Sequence, residues 1–131
     1  MDKIRVVLAD DHKALLARVR RTLCEEFEVV ATVEDGNQAV DAVVLLNPDV
    51  LVIDISMPIL DGLQAAKRLQ KTNSRAKVVF LTIHEDRDFV AAALSAGASG
   101  YVTKNRLSTD LVPAIHAALK GRTFVSQTVS S

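Results

Sequence analysis

The feature that most restricts the fold of this chain is a series of five short apolar runs separated by longer amphipathic segments. The runs are Ile4–Ala9, Glu28–Val33, Val50–Ile53, Lys77–Leu81 and Gly100–Thr103. Several of them are continuously apolar and rich in valine, which is typical of parallel strands covered on both faces. The pattern therefore predicts a parallel sheet with helices packed on both sides.

The segments between and after these runs have helical periodicity, with Gly and Pro residues where elements should end. The predicted helices are His12–Glu25, Gln38–Leu46, Leu63–Leu69, Phe89–Leu94 and Leu111–Leu119. Ser108, Thr109 or Asp110 is expected to cap the last helix, which would place Pro113 near its first turn. Alternation of five strands with five helices predicts an α/β fold.

Length and charge exclude several classes of protein. The chain has 131 residues, enough for one domain, and its 16 basic and 16 acidic side chains give a formal net charge of zero. This balance argues against binding nucleic acid or a membrane by bulk charge. Cys24 is the single cysteine, so no disulfide forms within the chain. We expect its side chain to be buried like that of a small hydrophobic residue. These features favour a cytoplasmic protein without a membrane span.

Polar side chains follow four of the five predicted strands at their carboxyl ends. Asp10 and Asp11 follow the first strand, Asp54 the third, Thr82 the fourth and Lys104 the fifth. In an open α/β sheet these ends lie along one edge, where ligands bind. We therefore expect the five side chains to converge, although each one alone is as well explained by a helix cap, a turn or a solvated position.

Convergence of the acids creates an electrostatic problem that a cation solves. Two carboxylates ~4 Å apart repel by about 4 kcal/mol at an effective dielectric of ~20. Mg²⁺ accepts oxygen ligands and is commonly held by one or two carboxylates together with phosphate oxygens. A carboxylate beside Mg²⁺, Lys104 and Thr82 is a plausible nucleophile toward phosphorus. Met57-Pro58 turns the chain out of the sheet directly after Asp54, which keeps this acid at the exposed end of its strand.

Four motifs carry a family resemblance. They are Asp10-Asp11, the segment Asp54-Ile55-Ser56-Met57-Pro58-Ile59-Leu60-Asp61-Gly62, Thr82, and the run from Ala96 to Lys104. On these residues the chain resembles the receiver domain of bacterial two-component response regulators, in particular the NarL/FixJ (LuxR-type) class. The resemblance covers essentially residues 3–122.

The resemblance implies a flavodoxin-like (βα)5 three-layer sandwich with a parallel sheet of strand order 2-1-3-4-5. It implies that Asp54 accepts a phosphoryl group from a sensor histidine kinase. Asp10, Asp11, Asp54 and the Ser56 backbone carbonyl would bind Mg²⁺, or Mn²⁺ as an alternative. Lys104 would pair with the phosphoryl group, and the chain would be a switch with self-catalysed phosphorylation and dephosphorylation rather than a multiple-turnover enzyme.

The same resemblance assigns switching and modulating residues. Thr82 would move its hydroxyl toward the phosphoryl group, and Tyr101 would rotate inward with it. Without the resemblance, we would expect Tyr101 to be an ordinary half-buried aromatic residue of a strand. Ser56 and His84 would influence phosphoryl lifetime, while the alternative for His84 is a solvated loop histidine. Asp61 is expected to be a turn residue or helix cap. Homodimerisation on phosphorylation is common in the family.

The chain departs from the family pattern at its carboxyl end. NarL/FixJ regulators usually carry a helix-turn-helix domain that binds DNA, and the residues after 122 are too few for one. We expect residues 1–122 to form the receiver and residues 123–131 to begin a linker or tail. DNA binding would then belong to a longer parent protein, and a stand-alone receiver acting through protein–protein contacts is the alternative.

Three other functions are weighed against this one. A Mg²⁺-dependent phosphatase of the haloacid dehalogenase type would need an Asp-x-Asp pair after the first strand, where this chain has adjacent acids. A flavin carrier would need a Ser/Thr/Gly-rich loop there and stacking aromatics, whereas the chain has no Trp and one Tyr. A pseudo-receiver that serves only as an interaction platform is disfavoured because all the motif residues are present.

Overall fold

The structure, a computed structural model, describes residues 3–127 and contains a six-stranded parallel sheet and five helices. The strands are β1 (Ile4–Ala9), β2 (Phe27–Val33), β3 (Val50–Ile53), β4 (Lys77–Thr82), β5 (Gly100–Thr103) and β6 (Phe124–Val125). The helices are α1 (Lys13–Leu23), α2 (Gly36–Leu46), α3 (Gly62–Gln70), α4 (Arg87–Ser95) and α5 (Leu107–Leu119). A 3₁₀ turn, Lys104–Arg106, precedes α5.

The strand order is β2-β1-β3-β4-β5-β6, with every neighbouring pair parallel. The predicted flavodoxin-like order 2-1-3-4-5 is thus confirmed, with one further strand outside β5. Because the order reverses at β1 and β3, a crevice opens between the carboxyl ends of these strands. Asp10 and Asp54 come directly after them.

Alternate residues of each strand point into two separate apolar layers. In β1, for example, Val6 and Leu8 pack toward α1 and α5, whereas Val7 and Ala9 pack toward α2, α3 and α4. All four residues are at most 2% exposed. Coverage on both faces explains why the strands have continuous apolar sequences rather than alternating ones.

The carboxyl-terminal part of the chain differs from the sequence prediction. Phe124–Val125 forms β6 instead of beginning a linker or tail, while residues 128–131 lie outside the described part of the chain. Helix α5 begins at Leu107, so Ser108, Thr109 and Asp110 occupy its first turn and do not cap it. Pro113 consequently lies inside the helix, beyond the first turn.

Cys24 is a second difference, because its side chain is exposed and not buried. The last core residue of α1 is Leu23, and Cys24 follows it as the C-cap residue. The apolar face of α1 ends with the helix, so the position that would continue it no longer points inward. None of the helices within residues 3–127 is long and apolar enough to cross a membrane.

The loop after β3 is shaped by local hydrogen bonds. Asp61 caps α3 in a capping box with Gln64, which confirms the cap predicted for Asp61. Ile59 has a positive φ of 69°, and the Leu60 N–H donates to the Pro58 carbonyl over 2.8 Å. This tight turn returns the chain toward the end of β3.

Gly62 lies against the backbone of Asp54, and we predict that Gly62→Ala destabilises the fold. A Cβ at this position would meet the Asp54 carbonyl oxygen at 2.0 Å, and no side-chain rotation relieves contact with a backbone atom. We expect the free energy of unfolding in urea to fall by about 2–3 kcal/mol, as for other overpacked sites.

Gly121→Ala is the matched control for Gly62→Ala. Gly121 has a φ of +77° but nothing within 4 Å of an added Cβ, so only the left-handed backbone conformation is penalised. Its expected cost is about 1 kcal/mol. Equal losses at Gly62 and Gly121 would contradict the steric explanation.

Candidate functional site

The three acids of the predicted site meet at the carboxyl edge of the sheet. Asp10 and Asp54 are 4% and 5% exposed, whereas Asp11 is exposed. The Asp54 N–H donates to the Ala9 carbonyl over 3.0 Å, which fixes the end of β3 beside the end of β1. One oxygen from each of the three carboxylates lies within 4.8 Å of the others.

Lys104 is shared between two of these carboxylates. Its Nζ lies 3.0 Å from Asp54 Oδ2 and 3.1 Å from Asp10 Oδ2. Burial alone would lower the pKa of Lys104, but the hydrogen bonds and charges of Asp54 and Asp10 raise it above its ordinary value. The ammonium group is therefore held in its charged form by the two acids.

The surroundings of Asp10 disfavour its charged form. Burial raises the pKa of Asp10, and the opposing hydrogen bonds from the His12 N–H and from Lys104 do not cancel this effect. The negative charge of Asp54 acts in the same direction as burial. Three carboxylates beside a single ammonium group leave an excess of negative charge, which favours binding of a further cation.

Asp54 has one engaged and one free oxygen. Oδ2 accepts from Lys104, whereas Oδ1 is buried without a hydrogen-bond partner among the described residues. An unsatisfied buried carboxylate oxygen is costly, and such groups usually bind an ion or have a chemical role. Oxygen donors from three acids, one of them unsatisfied, fit the ligand preference of a hard divalent cation.

Thr82 and Tyr101 are both completely buried, and the backbone of His84 connects them. The His84 N–H donates to Thr82 Oγ1 over 3.4 Å, and the Tyr101 hydroxyl donates to the His84 carbonyl over 2.8 Å. Burial, together with the charges of Asp86 and Asp54, raises the pKa of Tyr101 to about 12. Tyr101 is therefore an inward-facing, neutral hydrogen-bond donor and not a half-buried strand aromatic.

The side chain of His84 lies beside the loop that follows β3. Its Nε2 is 2.9 Å from Ser56 Oγ, and its ring stacks on Phe89 with centroids 4.0 Å apart. His84 is thus held on two sides rather than solvated as a free loop residue. The sequence analysis did not identify Phe89 as a residue of the site, because nothing in its spacing distinguishes it from an ordinary helix residue.

The sequence of the chain matches the family "Response regulator receiver domain" over residues 6–116. It is 38% identical to the transcriptional regulatory protein DegU of Brevibacillus brevis, covering 98% of this chain and 56% of that protein. It is 30% identical to the response regulator UvrY of Escherichia coli, covering 97% and 59%. The chain therefore spans less than two thirds of the length of these curated relatives.

Solved structures agree with these sequence matches. A LuxR-family two-component response regulator from Aurantimonas superposes with a TM-score of 0.90 at 34% identity, covering 98% of this chain and 93% of that one. The signal receiver domain of the response regulator NarL from Mycobacterium tuberculosis gives 0.89 at 32% identity, covering 93% and 100%.

Proposed function

Since the chain belongs to the response regulator receiver family, in the NarL/FixJ (LuxR-type) class, we propose that it is a switch that accepts a phosphoryl group on Asp54. The observation that carries this proposal is the difference in surroundings between the two carboxylate oxygens of Asp54. Lys104 occupies Oδ2, and Oδ1 is buried without a partner among the described residues. One oxygen is oriented by a cation while the other is available as a nucleophile.

In the proposed reaction, Oδ1 of Asp54 forms a bond to phosphorus as the bond from phosphorus to the donor's leaving group breaks. We propose the phosphohistidine of a sensor kinase as the donor. Lys104 orients Asp54 beforehand and then pairs with a phosphoryl oxygen, which stabilises the charge of the transferred group.

A divalent cation is part of this proposal. Asp10, Asp11, Asp54 and the Ser56 backbone carbonyl would hold Mg²⁺, or Mn²⁺ in its place. When bound, the ion neutralises the acids and the charge of the phosphoryl oxygens. His12 contributes indirectly, because its N–H donates to Asp10 Oδ1 over 2.9 Å and fixes the orientation of that carboxylate.

Thr82, His84 and Tyr101 would convert phosphorylation into a change of conformation. A phosphoryl group brings more negative charge and new acceptor oxygens to Asp54, so the Thr82 hydroxyl gains an acceptor to which it can donate by moving away from the His84 N–H. Tyr101 already faces inward in this structure, so an inward rotation is not needed. Movement of Thr82 would instead act on Tyr101 through the His84 backbone, to which both side chains are hydrogen-bonded. The population shift is limited by the difference in these contacts.

The output and the partners are inferred from the relatives. The name of the transcriptional regulatory protein DegU supports transcriptional control, which in this class would use a carboxyl-terminal helix-turn-helix domain. Homodimerisation is proposed by analogy with a structure of two RcsB dimers bound to two parallel DNAs. The chain would act in the cytoplasm and would undergo self-catalysed phosphorylation and dephosphorylation without multiple turnover of a substrate.

The experiment that tests the proposal is phosphorylation by acetyl phosphate with and without Mg²⁺, followed by intact mass measurement and peptide mapping. We expect one covalent phosphoryl group, present only with Mg²⁺ and located on Asp54. Modification at another residue, or catalytic release of phosphate from an added phosphomonoester, would contradict the proposal and favour a phosphatase in the second case.

We predict that breaking the Ser56–His84 contact changes the lifetime of the phosphoryl group. Ser56→Ala removes the hydroxyl that holds the imidazole, and His84→Ala removes the ring itself. An acid–base group near attacking water typically contributes about 10²- to 10⁴-fold, so we expect both variants to lose the phosphoryl group about 10²-fold more slowly than the unchanged chain.

Decay of radiolabelled phosphoprotein measures this lifetime. Ser95→Ala, at the end of α4, is the control and should leave the decay rate unchanged. Unaltered lifetimes in both Ser56→Ala and His84→Ala would remove these residues from the proposed site.

A further inference from the structure

The segment after α5 folds back along the strand that carries the switch. The Phe124 N–H donates to the Ser99 carbonyl over 3.1 Å, and the Ser126 N–H donates to the Tyr101 carbonyl over 2.9 Å. These bonds make β6 a parallel neighbour of β5. A strand of two residues has little pairing energy of its own, so its position requires an additional contact.

Ser126 provides this contact through a buried hydrogen-bonded pair with Asp110. Ser126 is 2% exposed, and its hydroxyl donates to Asp110 Oδ2 over 2.7 Å. Asp110, in the first turn of α5, is 6% exposed and also accepts from Arg106 and from the Thr109 hydroxyl. Burial alone would raise the pKa of Asp110, but the hydrogen bonds from Ser126, Arg106 and Thr109 lower it.

The same serine is also bonded to the end of β5. Its Oγ accepts a hydrogen bond from the Thr103 N–H over 3.2 Å, while its own N–H donates to the Tyr101 carbonyl. Ser126 therefore clamps the stretch between Tyr101, the inward-facing aromatic, and Lys104, the cation of the acceptor site. A displacement of the β5 backbone at Tyr101 or Thr103 would move two of the groups that hold Ser126.

We propose that the Ser126–Asp110 pair couples docking of residues 122–127 to occupation of the Asp54 site, so that the docked segment favours phosphorylation and phosphorylation tightens docking. This inference rests on the proposed phosphoacceptor function. Ser126 and Asp110 are positioning residues, because they touch neither the acceptor oxygen nor the acids around it in the described structure.

The sign of the coupling follows from the arrangement described above. With residues 122–127 docked, Lys104 contacts Asp54, which is the arrangement that the proposed phosphoryl transfer uses. Releasing the segment removes the Ser126 hydrogen bonds to the Thr103 N–H and to the Tyr101 carbonyl, which loosens the end of β5. Coupling between two sites is reciprocal, so an occupant of the Asp54 site must stabilise the docked segment by the same factor.

The test uses Mg²⁺ with BeF₃⁻, the phosphomimetic in whose presence the isolated receiver domain of RcsB from Salmonella enterica has been solved. Hydrogen exchange read by mass spectrometry reports docking through the amides of residues 122–127 and of Thr103. Calorimetry reports the affinity for BeF₃⁻. The variants are Ser126→Ala and Asp110→Asn, and Thr123→Ala is the matched control, since it removes an exposed hydroxyl from the same segment.

We expect BeF₃⁻ to slow exchange in residues 122–127 of the unchanged chain. We expect Ser126→Ala and Asp110→Asn to speed this exchange and to weaken BeF₃⁻ binding by about fivefold or more, the usual lower range of coupling between sites. Thr123→Ala should change neither measurement.

Two results would overturn the coupling while leaving the phosphoacceptor function intact. One is a variant in which the amides of residues 122–127 exchange rapidly while the affinity for BeF₃⁻ is unchanged. The other is failure of both substitutions to free the segment, which would show that the pair does not hold it. If the unchanged chain bound no BeF₃⁻ and accepted no phosphoryl group, the proposed function itself would fail, and the coupling with it.

Discussion

Asp54→Asn is expected to abolish uptake of a phosphoryl group from acetyl phosphate and to leave the fold no less stable than before. The amide has nearly the same shape as the carboxylate, but its oxygen is a poor nucleophile and carries no charge. In the unchanged chain, Asp10 and Asp54 share the single ammonium group of Lys104. Removing one negative charge relieves their repulsion, which offsets the loss of one ion pair.

The measurement is intact mass after incubation with acetyl phosphate and Mg²⁺, together with urea unfolding. Asp61→Asn is the matched control, because Asn caps a helix as well as Asp and the capping bond of Asp61 is retained. It should be phosphorylated at the original rate. Covalent phosphate on Asp54→Asn at the level of the unchanged chain would identify a different acceptor.

Lys104→Met is expected to reduce the rate of phosphorylation by about 10²-fold, the loss typical of removing one group that stabilises developing charge. The side chain of Lys104 is only 15% exposed. Its removal leaves two buried carboxylates facing each other without a cation. Breaking a buried pair costs about 3–5 kcal/mol, so we expect a loss somewhat below this range, about 2–3 kcal/mol, because the lysine retains contact with solvent.

The distinguishing feature of this variant is its response to Mg²⁺. Because a divalent cation would replace the missing charge, Mg²⁺ should stabilise Lys104→Met more strongly than the unchanged chain. Urea unfolding with and without Mg²⁺ measures this difference. Lys120→Met, at the exposed end of α5, is the control and should respond like the unchanged chain. Equal stabilisation of all three proteins would contradict the replacement of the lysine's charge by the ion.

The parts of the fold that the sequence predicts correctly are those governed by burial. Strands β1, β3 and β5 have the predicted limits, and β2 and β4 differ by one residue each. Their continuous apolar runs follow from coverage on both faces. The convergence of Asp10, Asp54 and Lys104 was predictable for a related reason, since parallel strands bring their carboxyl ends to one edge.

The parts that the sequence does not predict depend on contacts between distant residues. A two-residue strand such as β6 has no periodicity to detect, and the acceptor of Ser126 lies on another element. The start of α5 was detectable in principle, because Leu107 continues the apolar face formed by Leu111 and Ala114. The polar residues after Leu107 obscure this start, because they are typical of a helix cap.

The two-residue strand β6 also determines the direction in which the backbone travels after α5. Helix α5 runs antiparallel to the sheet, and its last turn therefore lies at the opposite edge from Asp54. Because β6 is parallel to β5, with Val125 level with Tyr101, the chain reverses and travels back toward the phosphoacceptor. Gln127, the last residue that the structure describes, therefore lies at the edge of the sheet that carries Asp54, so two hydrogen-bonded residues set the end of the sheet at which the described chain finishes.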